Sequence, residues 1–401
     1  MNKKKIFNDP IYGLIRFHHD TIYEIIDHPY FQRLRRISQQ ALSHLVYPGA
    51  LHTRFQHALG ATYLMCRALD TLITKGIVIS DQEYEAACVA ILLHDVGHGP
   101  FSHALEHTLA DVHHERISLL LMQKIGLELH KDFQLAVSIF TNNYHRPFFH
   151  ELVSGQIDVD RMDYLTRDSF FSGVAEGIIG YDRIITMMHV VNDHLVIEEK
   201  GIYSIEKFLM ARRLMYWQVY MHKTVISSEV MLISILKRAK YLAQHGVELA
   251  TSSELNYFLK LPIENKPLEH DHKFLNHFVL LDDIDLMWMI KKSVDHSDII
   301  LKTLCSNLLE RKLFKVYLQT SDMHVDFIST KVAELITRFN INKAEIDYFL
   351  IQKSETFSFY NSHNNEINIL LKNGEVKSFS KLVSFYSDIP TEKKDFTFCV
   401  Q

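Results

Sequence analysis

The chain contains few residues that break a helix, and this scarcity limits what it can fold into. Its 401 residues include 14 Gly and 8 Pro, which is below the average usage of about 7% and 5%. Between residues 22 and 259, apolar residues recur at intervals of three and four, the period of an amphipathic helix. We therefore predict a mainly α fold.

Periodicity and end signals predict where several of these helices lie. They cover residues 55–73, 81–93, 113–125, 156–171 and 206–245. Ser80 and Glu83 have the spacing of a capping box before the second helix. Gly126 and Gly173 are expected to end the third and fourth helices.

A minority of the sequence has strand character. Residues 189–205 predict a small hairpin that turns at Lys200-Gly201. Later segments that resemble strands are 315–319, 346–352 and 367–380, the last turning at Asn373-Gly374. We predict a helical core over residues 1–270 and a smaller C-terminal α+β region over residues 271–401, which share an interface.

Charge and cysteine usage exclude several classes of protein. Forty-three Lys and Arg against 48 Asp and Glu give a net charge of −5, so no general positive field attracts nucleic acid. The four Cys form no CxxC pair, and the polar N-terminal residues do not resemble a signal peptide. We expect a cytoplasmic protein. No apolar stretch approaches 18 residues, so no membrane span is expected.

The chain is rich in histidine, with 25 His, and its strongest local motif is LLHDVGHGPFSH at residues 92–103. Adjacent His94 and Asp95 near a helix end can offer an imidazole and a carboxylate to one cation if the last turn loosens. Gly97 and Gly99 permit that loosening.

Two further residues complete a candidate metal site. His57 lies near the start of the predicted helix 55–73, and Asp160 lies in the helical segment IDVDRMDYLTRD. With His94 and Asp95 they give two imidazoles and two carboxylates, with positions left for water and substrate. Such a set suits a divalent ion such as Mn, Fe, Mg, Co, Zn or Ni.

Each of these residues also has a simpler interpretation. His57 alone is more often a hydrogen-bonded core or surface histidine than a ligand. A His-Asp dipeptide such as residues 94–95 arises by chance in many proteins, and Asp160 in a run of charges is compatible with a solvated helix face. The specificity lies in the ordered arrangement of all of them.

Six segments in order resemble one family. They are FNDPIYG, HPYFQRLRRISQ, HTRFQHALG, HDVGHGPFSH, HHERIS and IDVDRMDYLTRD. In these segments the chain resembles the HD-domain metal-dependent phosphohydrolases, in the branch that contains deoxynucleoside triphosphate triphosphohydrolases. The resemblance is continuous over residues 3–240 and weaker beyond them.

The resemblance implies roles for four groups of residues. The metal ligands of the family fall on His57, His94, Asp95 and Asp160. Its active-site histidines and acid fall on His98, His103, Glu106 and His114. Positions that hold the triphosphate or the sugar fall on Gln39, Arg54, Arg161, Tyr164, Asp168, Arg212 and Tyr220. Positions that bind an allosteric guanine nucleotide at a subunit interface fall on Lys5, Asp27, Gln32 and Arg35.

The implied reaction is attack on the α-phosphorus of a dNTP, which releases a deoxynucleoside and inorganic triphosphate. A homo-oligomer, dimer or tetramer, is the implied assembly. Arg54 and Arg161 are alternatively surface ion-pair partners, and Asp27 is alternatively the cap of a helix that begins near Pro29.

Three positions depart from the pattern of the branch. Gln40 replaces an apolar residue beside the sugar, Met221 replaces a glutamine that contacts the base, and Arg161 replaces a lysine. Two other functions therefore remain open. One is hydrolysis of another phosphoester, such as a nucleoside monophosphate, an alarmone or a cyclic dinucleotide. The other is a nucleotide-sensing scaffold with little turnover.

Overall fold

The computed structural model describes residues 5–102, 108, 112–261, 272–318, 325–357, 360, 366–383 and 392–401. The helices in this part of the chain are α1 (Asp20–Asp27), α2 (Pro29–Gln32), α3 (Arg54–Thr74), α4 (Asp81–Leu93), α5 (His114–Glu128), α6 (Gln134–Phe140), α7 (Phe148–Ser154), α8 (Val159–Ser172), α9 (Tyr181–Met187), α10 (Ile202–Met215), α11 (Lys223–Gln244), α12 (Ser253–Lys260), α13 (His272–Phe278), α14 (Asp283–Lys292), α15 (Ile299–Leu309), α16 (Val325–Phe339) and α17 (Phe379–Leu382). The strands are β1 (Phe7–Asp9), β2 (Gly13–Ile15), β3 (Met188–Val191), β4 (His194–Glu198), β5 (Lys315–Leu318), β6 (Leu350–Phe357), β7 (Asn368–Leu370), β8 (Val376–Ser378) and β9 (Glu392–Cys399). The prediction of a mainly helical fold is confirmed.

The centre of the fold is the packing of α3 against α4 and α8. In α4, residues 86–93 are all buried, which is typical of a helix surrounded by others. At Gly60 of α3 an added Cβ would lie 2.0 Å from Asp163 Oδ1 and 2.2 Å from Arg167 Nη2. Glycine thus allows α3 and α8 to approach closely.

Two predicted helix ends are confirmed. Ser80 Oγ accepts a hydrogen bond from the Glu83 N–H at 3.2 Å and caps α4. Gly173, with φ of 72°, ends α8 in the left-handed conformation that glycine adopts without strain.

Two other predicted ends are wrong. Gly126 does not end α5, which continues to Glu128; an added Cβ there would lie 3.1 Å from Phe133, so this glycine serves close packing. Helix α8 begins at Val159 and not at residue 156, because the Asp158 carboxylate accepts from the Arg161 N–H at 2.6 Å and caps it.

The predicted hairpin exists as antiparallel β3 and β4, but its predicted turn is wrong. The chain reverses at Asn192 and Asp193, with φ of 51° and 58°, because a two-residue turn of this kind matches the twist of the strands. Lys200-Gly201 lies instead in a short 3₁₀ turn before α10.

The C-terminal strands form two sheets. Strands β5 and β6 flank β9, antiparallel to it, whereas β7 and β8 extend the hairpin into a four-stranded sheet. Strand β7 pairs parallel to β4, with Ile197 opposite Ile369. The predicted turn at Asn373-Gly374 joins β7 to β8, with Gly374 at φ 85°.

The predicted strand at residues 346–352 begins later than expected. Residues Lys343–Tyr348 form a 3₁₀ turn capped by Asn342, and β6 follows it. The Asn342 side chain accepts from the Ala344 N–H at 2.9 Å, which favours a turn over an extended strand at this point. The division of the chain at residue 270 stays a prediction.

In the described ranges no single helix is long and apolar enough to cross a bilayer. The segment Glu199–Tyr220, which contains α10, and the helix α11 meet the length and composition test only as a pair, and the pair is bent by 58°. Cytoplasmic localisation stays a prediction.

Candidate functional site

The ends of three helices bring the predicted metal ligands to one point. His57 and Asp160 lie in the first turns of α3 and α8, while His94 and Asp95 directly follow α4. His57 Nε2 lies 3.1 Å and His94 Nε2 3.5 Å from Asp160 Oδ1. Donor atoms of these three residues all lie within 4.8 Å of one another. Asp95 Oδ1 lies 3.3 Å from His94 Nε2, which places the second carboxylate beside the group.

A buried chain of charges orients His57. Its Nδ1 lies 2.8 Å from Asp163 Oδ2. Because a carboxylate only accepts, Nδ1 holds the proton and the Nε2 lone pair of a neutral ring faces Asp160. Arg167 donates to both oxygens of Asp163 at 2.9 Å and to Asp9 Oδ2 at 2.8 Å. The ring orientation is thus fixed from outside the donor group.

The hydrogen bonding of His94 indicates whether the donor group fits a metal ion. Its Nδ1 lies 2.6 Å from the Ile91 carbonyl oxygen, so Nδ1 donates. Its Nε2 is buried and has no hydrogen-bond partner among the residues that the structure describes. A buried polar atom without a partner costs roughly 1–3 kcal/mol, and here it faces carboxylate oxygens that also lack protons. A cation between them satisfies both, so the residues fit a metal ion.

The pKa shifts of His57 and Asp160 are consistent with a site that binds a positive charge. Burial lowers the pKa of His57, but hydrogen bonds to Asp160 and Asp163 outweigh burial and raise the pKa to about 10. Burial also acts to raise the pKa of Asp160, yet the neighbouring His57 and His94 imidazoles hold it well below the usual range. The carboxylates therefore stabilise a positive charge at this point.

Asp95 also connects the donor group to other predicted residues. Its Oδ2 forms an ion pair with Arg54 Nη1, and Arg54 Nε donates to Ser102 Oγ at 2.7 Å. His98 Nε2 lies 3.3 Å from Asp95 Oδ1. The rings of His98 and His114 stack with centroids 3.9 Å apart. An arginine and two histidines thus stand directly beside the donor group.

The donor group opens onto a cavity of about 550 Å³, within the size range of small-molecule sites. The predicted residues on its wall are Gln39, Arg54, His94, Asp95, His98, His114, Asp160, Tyr164, Asp168, Arg212 and Tyr220.

Comparison with known proteins decides the family. Residues 54–168 match the HD domain and residues 179–254 match the HD associated region. A phosphohydrolase from Bacteroides thetaiotaomicron has a crystal structure with a TM-score of 0.94 and 45% identity over the whole of both chains. The uncharacterized protein YwfO of Bacillus subtilis is 31% identical over 98% of this chain and 91% of its own length. The deoxynucleoside triphosphate triphosphohydrolase SAMHD1 homolog of Dictyostelium discoideum is 31% identical over 62% of this chain and 52% of its own.

The chain is an HD-domain phosphohydrolase.

In this HD-domain phosphohydrolase, Asp168 organises another part of the cavity wall. His52 Nε2 lies 2.7 Å from Asp168 Oδ1, and the Tyr220 O–H donates to Asp168 Oδ2 at 2.7 Å. The Tyr164 and Tyr220 rings meet edge to face at 6.4 Å. Arg212 Nη1 donates to Gln156 Oε1 at 3.2 Å. These side chains are therefore held in place before any ligand arrives.

Two of the predicted site residues do not line the cavity. His57 lies behind the wall, and Arg161 binds the Asp158 carboxylate and the Gly155 carbonyl oxygen, the latter at 2.7 Å. His103 and Glu106 lie outside the described residues.

The four predicted allosteric residues form two linked pairs near the C-terminal ends of α1 and α2; Lys5 precedes β1 and Arg35 follows α2. Lys5 Nζ donates to Asp27 Oδ1 at 2.6 Å, and both side chains are about half exposed. Arg35 Nε donates to Gln32 Oε1 at 2.8 Å, while Gln32 Nε2 donates to the Ile26 carbonyl oxygen, next to Asp27. Asp27 does not cap α2, because His28 does: its Nδ1 accepts from the Tyr30 N–H at 3.3 Å.

Sequence reasoning missed several residues that support the site. They are Asp9, His52, Asp163, Arg167, Glu229 and Asp283. Asp283 lies far along the chain, yet it accepts from the Ser38 and Phe101 N–H groups at 2.8 and 2.7 Å. The i, i+4 spacing of Asp163 and Arg167 is a sequence pattern that indicates an ion pair on a helix. No sequence pattern indicates a role for Asp283 or Glu229.

Proposed function

We propose that the protein hydrolyses deoxynucleoside triphosphates to deoxynucleoside and inorganic triphosphate. The observation that carries the proposal is one cavity whose wall combines the His94 and Asp160 donors with Arg54, Arg212 and the polar Gln39. That combination suits a ligand with a polyphosphate, a sugar and a base. Relatives named deoxynucleoside triphosphate triphosphohydrolases support the substrate class.

HD domains depend on metal, and the donor group could hold one. The proposed ligands are His57, His94, Asp95 and Asp160. A divalent ion, whether Mn, Fe, Mg, Co, Zn or Ni, supplies charge that stabilises the attacked phosphoryl group and lowers the pKa of a bound water.

The proposed phosphate ligands are Arg54 and Arg212, whose planar guanidinium groups suit phosphate oxygens. Arg54 is already held by Asp95 and Ser102. Burial lowers the pKa of Arg212, so an anionic substrate offsets the cost of keeping this guanidinium charged. For Arg161 to take part, its guanidinium must exchange Asp158 for phosphate.

The proposed sugar contacts lie on the same wall. Gln39 Oε1 is buried and has no hydrogen-bond partner within the described ranges, so it is open to accept from a sugar hydroxyl. Tyr164, Tyr220 and Asp168 complete this part of the proposal.

For proton transfer we favour His98 or His114. When water attacks the α-phosphorus, the bond to the O5′ atom breaks and that oxygen needs a proton. An imidazole of ordinary pKa, about 6.5, is an effective acid near neutral pH. His98 stands 3.3 Å from Asp95, beside the donor group. His103 and Glu106 stay proposed members of the active site.

The test is anion-exchange analysis of products after metal-supplemented protein is incubated with each dNTP and NTP. We expect deoxynucleoside and triphosphate in equal amounts. Asp95→Asn should abolish turnover, whereas Asp182→Asn, at an exposed ion pair with Arg67, should not. Release of single phosphates or pyrophosphate would point to another phosphoester; nucleotide binding without turnover would favour a sensor.

Assembly and regulation belong to the same proposal. Lys5, Asp27, Gln32 and Arg35 would bind a guanine nucleotide that promotes a homo-oligomer, dimer or tetramer. The exposed Lys5–Asp27 pair supports this, because an exposed ion pair contributes little to stability and can exchange partners at low cost.

A further inference from the structure

One part of the cavity wall is built by residues that none of the proposed roles uses. They are Tyr216, Met221, Val225 and Glu229. Val225 and Glu229 lie one turn apart on α11, so both side chains face the same way. The result is an apolar and aromatic surface that carries a single carboxyl group.

Strand β6 lies beside this surface. The Tyr216 O–H donates to the Thr356 carbonyl oxygen at 3.4 Å. The charged neighbours that influence Glu229 are Lys353 and Glu355 of β6, which form an ion pair at 2.6 Å. Among the described residues no carboxylate of the donor group influences Glu229.

The carboxyl group of Glu229 is available to a ligand. Within the described part of the chain it forms no hydrogen bond and no ion pair. Burial raises its pKa to about 7, while Lys353 lowers the pKa and Glu355 raises it. A ligand that donates hydrogen bonds to the carboxylate would offset this cost of burying its charge.

An apolar, aromatic wall with one hydrogen-bonding group suits a nucleobase, which binds by its faces and is distinguished by its edge. An ionised carboxylate only accepts hydrogen bonds. Guanine presents two adjacent N–H donors, at N1 and the 2-amino group. Adenine and cytosine present an acceptor beside their donor, and thymine has one donor between two acceptors.

Resting on the proposed function, we propose that Glu229 is a specificity-determining residue that selects guanine by accepting from its N1–H and 2-amino groups. The other bases place an acceptor against the carboxylate, and an unpaired buried polar group discriminates strongly between ligands.

The first experiment measures kcat/KM for the four dNTPs with wild type, Glu229→Gln and Glu248→Gln. The control removes an exposed carboxylate just beyond α11. We expect wild type to prefer dGTP over dATP by about tenfold or more, as a charged hydrogen bond allows. In Glu229→Gln this ratio falls at least about fivefold, because one acceptor becomes a donor; in Glu248→Gln it is unchanged.

The second experiment measures the rise in melting temperature that each dNTP produces at equal concentration. Selective stabilisation by dGTP that Glu229→Gln removes supports base selection even without turnover, and then the proposed function alone fails. Turnover of all four dNTPs with equal kcat/KM overturns the role of Glu229 and leaves the proposed function intact. A dGTP preference that survives in Glu229→Gln also overturns that role, and absence of both binding and turnover overturns both proposals.

Discussion

At the scale of single residues, the histidines of the donor group depend on partners that lie outside it. His57 is oriented by Asp163, which is held by Arg167, and His94 is oriented by the Ile91 carbonyl group. Partners of this kind fix which nitrogen carries the proton and thereby which nitrogen can bind a metal.

Asp163→Asn tests this dependence. The amide no longer accepts at both oxygens, so His57 loses its fixed orientation and Arg167 loses a charged partner. We expect metal affinity to fall about 10–100-fold, measured by competition with a chelating dye on variants whose melting is recorded in parallel. Asp295→Asn, at an exposed position, is the control. Unchanged affinity in folded Asp163→Asn would contradict the role of this carboxylate.

The acidity of Glu229 predicts how stability changes with pH. Its pKa is about 7 when folded, against an ordinary value of 4.5, so the folded state holds the proton more tightly. This contribution to stability is present at low pH and is lost as pH rises from about 4.5 to about 7. The difference in free energy of unfolding between Glu229→Gln and wild type should shift by about 2 kcal/mol in favour of Glu229→Gln from pH 5 to pH 8. Urea unfolding at both pH values measures this difference. If the stabilities of the two proteins change equally with pH, the raised pKa of Glu229 is refuted.

At the scale of elements, local signals were read correctly where a helix end depends on its own residues. Ser80 and Gly173 are examples, since each acts within four residues along the chain. Gly126 did not end its helix as predicted. Glycine is needed at this position because a side chain would be too close to the Phe133 ring, which is a tertiary contact. The hairpin was predicted but its turn was not, since Lys-Gly and Asn-Asp both have turn propensity and only the strand register distinguishes them.

The same limit applies to the site. The four proposed metal ligands could be named from the ordered motifs and the family resemblance, although the start of α8, which carries Asp160, was predicted three residues too early. Asp283 could not, because it reaches Ser38 and Phe101 from about 180 or more positions away. Glu229 carries no motif, and only the folded chain places it on the cavity wall.

The close approach of α3 and α8 gives a prediction about elements. In Gly60→Ala the new methyl group would overlap Asp163 and Arg167, both buried and paired, so the two helices must separate. We expect a loss of about 2–4 kcal/mol in the free energy of unfolding and weaker metal binding. Gly180→Ala, where an added Cβ meets no atom of the described residues within 4 Å, is the matched control. Equal stability of the two variants in denaturant unfolding would refute the packing argument.

At the scale of the whole molecule, we propose that Lys5, Asp27, Gln32 and Arg35 connect nucleotide binding to assembly. Sedimentation velocity with and without GTP or dGTP should show a larger species with nucleotide. Asp27→Ala should reduce the effect, because it removes the partner of Lys5. If the assembly state is unchanged at millimolar nucleotide, this proposal is refuted.

The parallel pairing of β4 with β7 also has a consequence for synthesis on the ribosome. About 170 residues separate Ile197 from its partner Ile369, and translation at roughly 5–20 residues per second takes about 9–34 s to supply them. For that time one edge of the nascent hairpin is exposed, and an unpaired strand edge is a site at which chains associate wrongly. A slower ribosome lengthens this interval, so the yield of folded protein should depend on codon usage between these two strands.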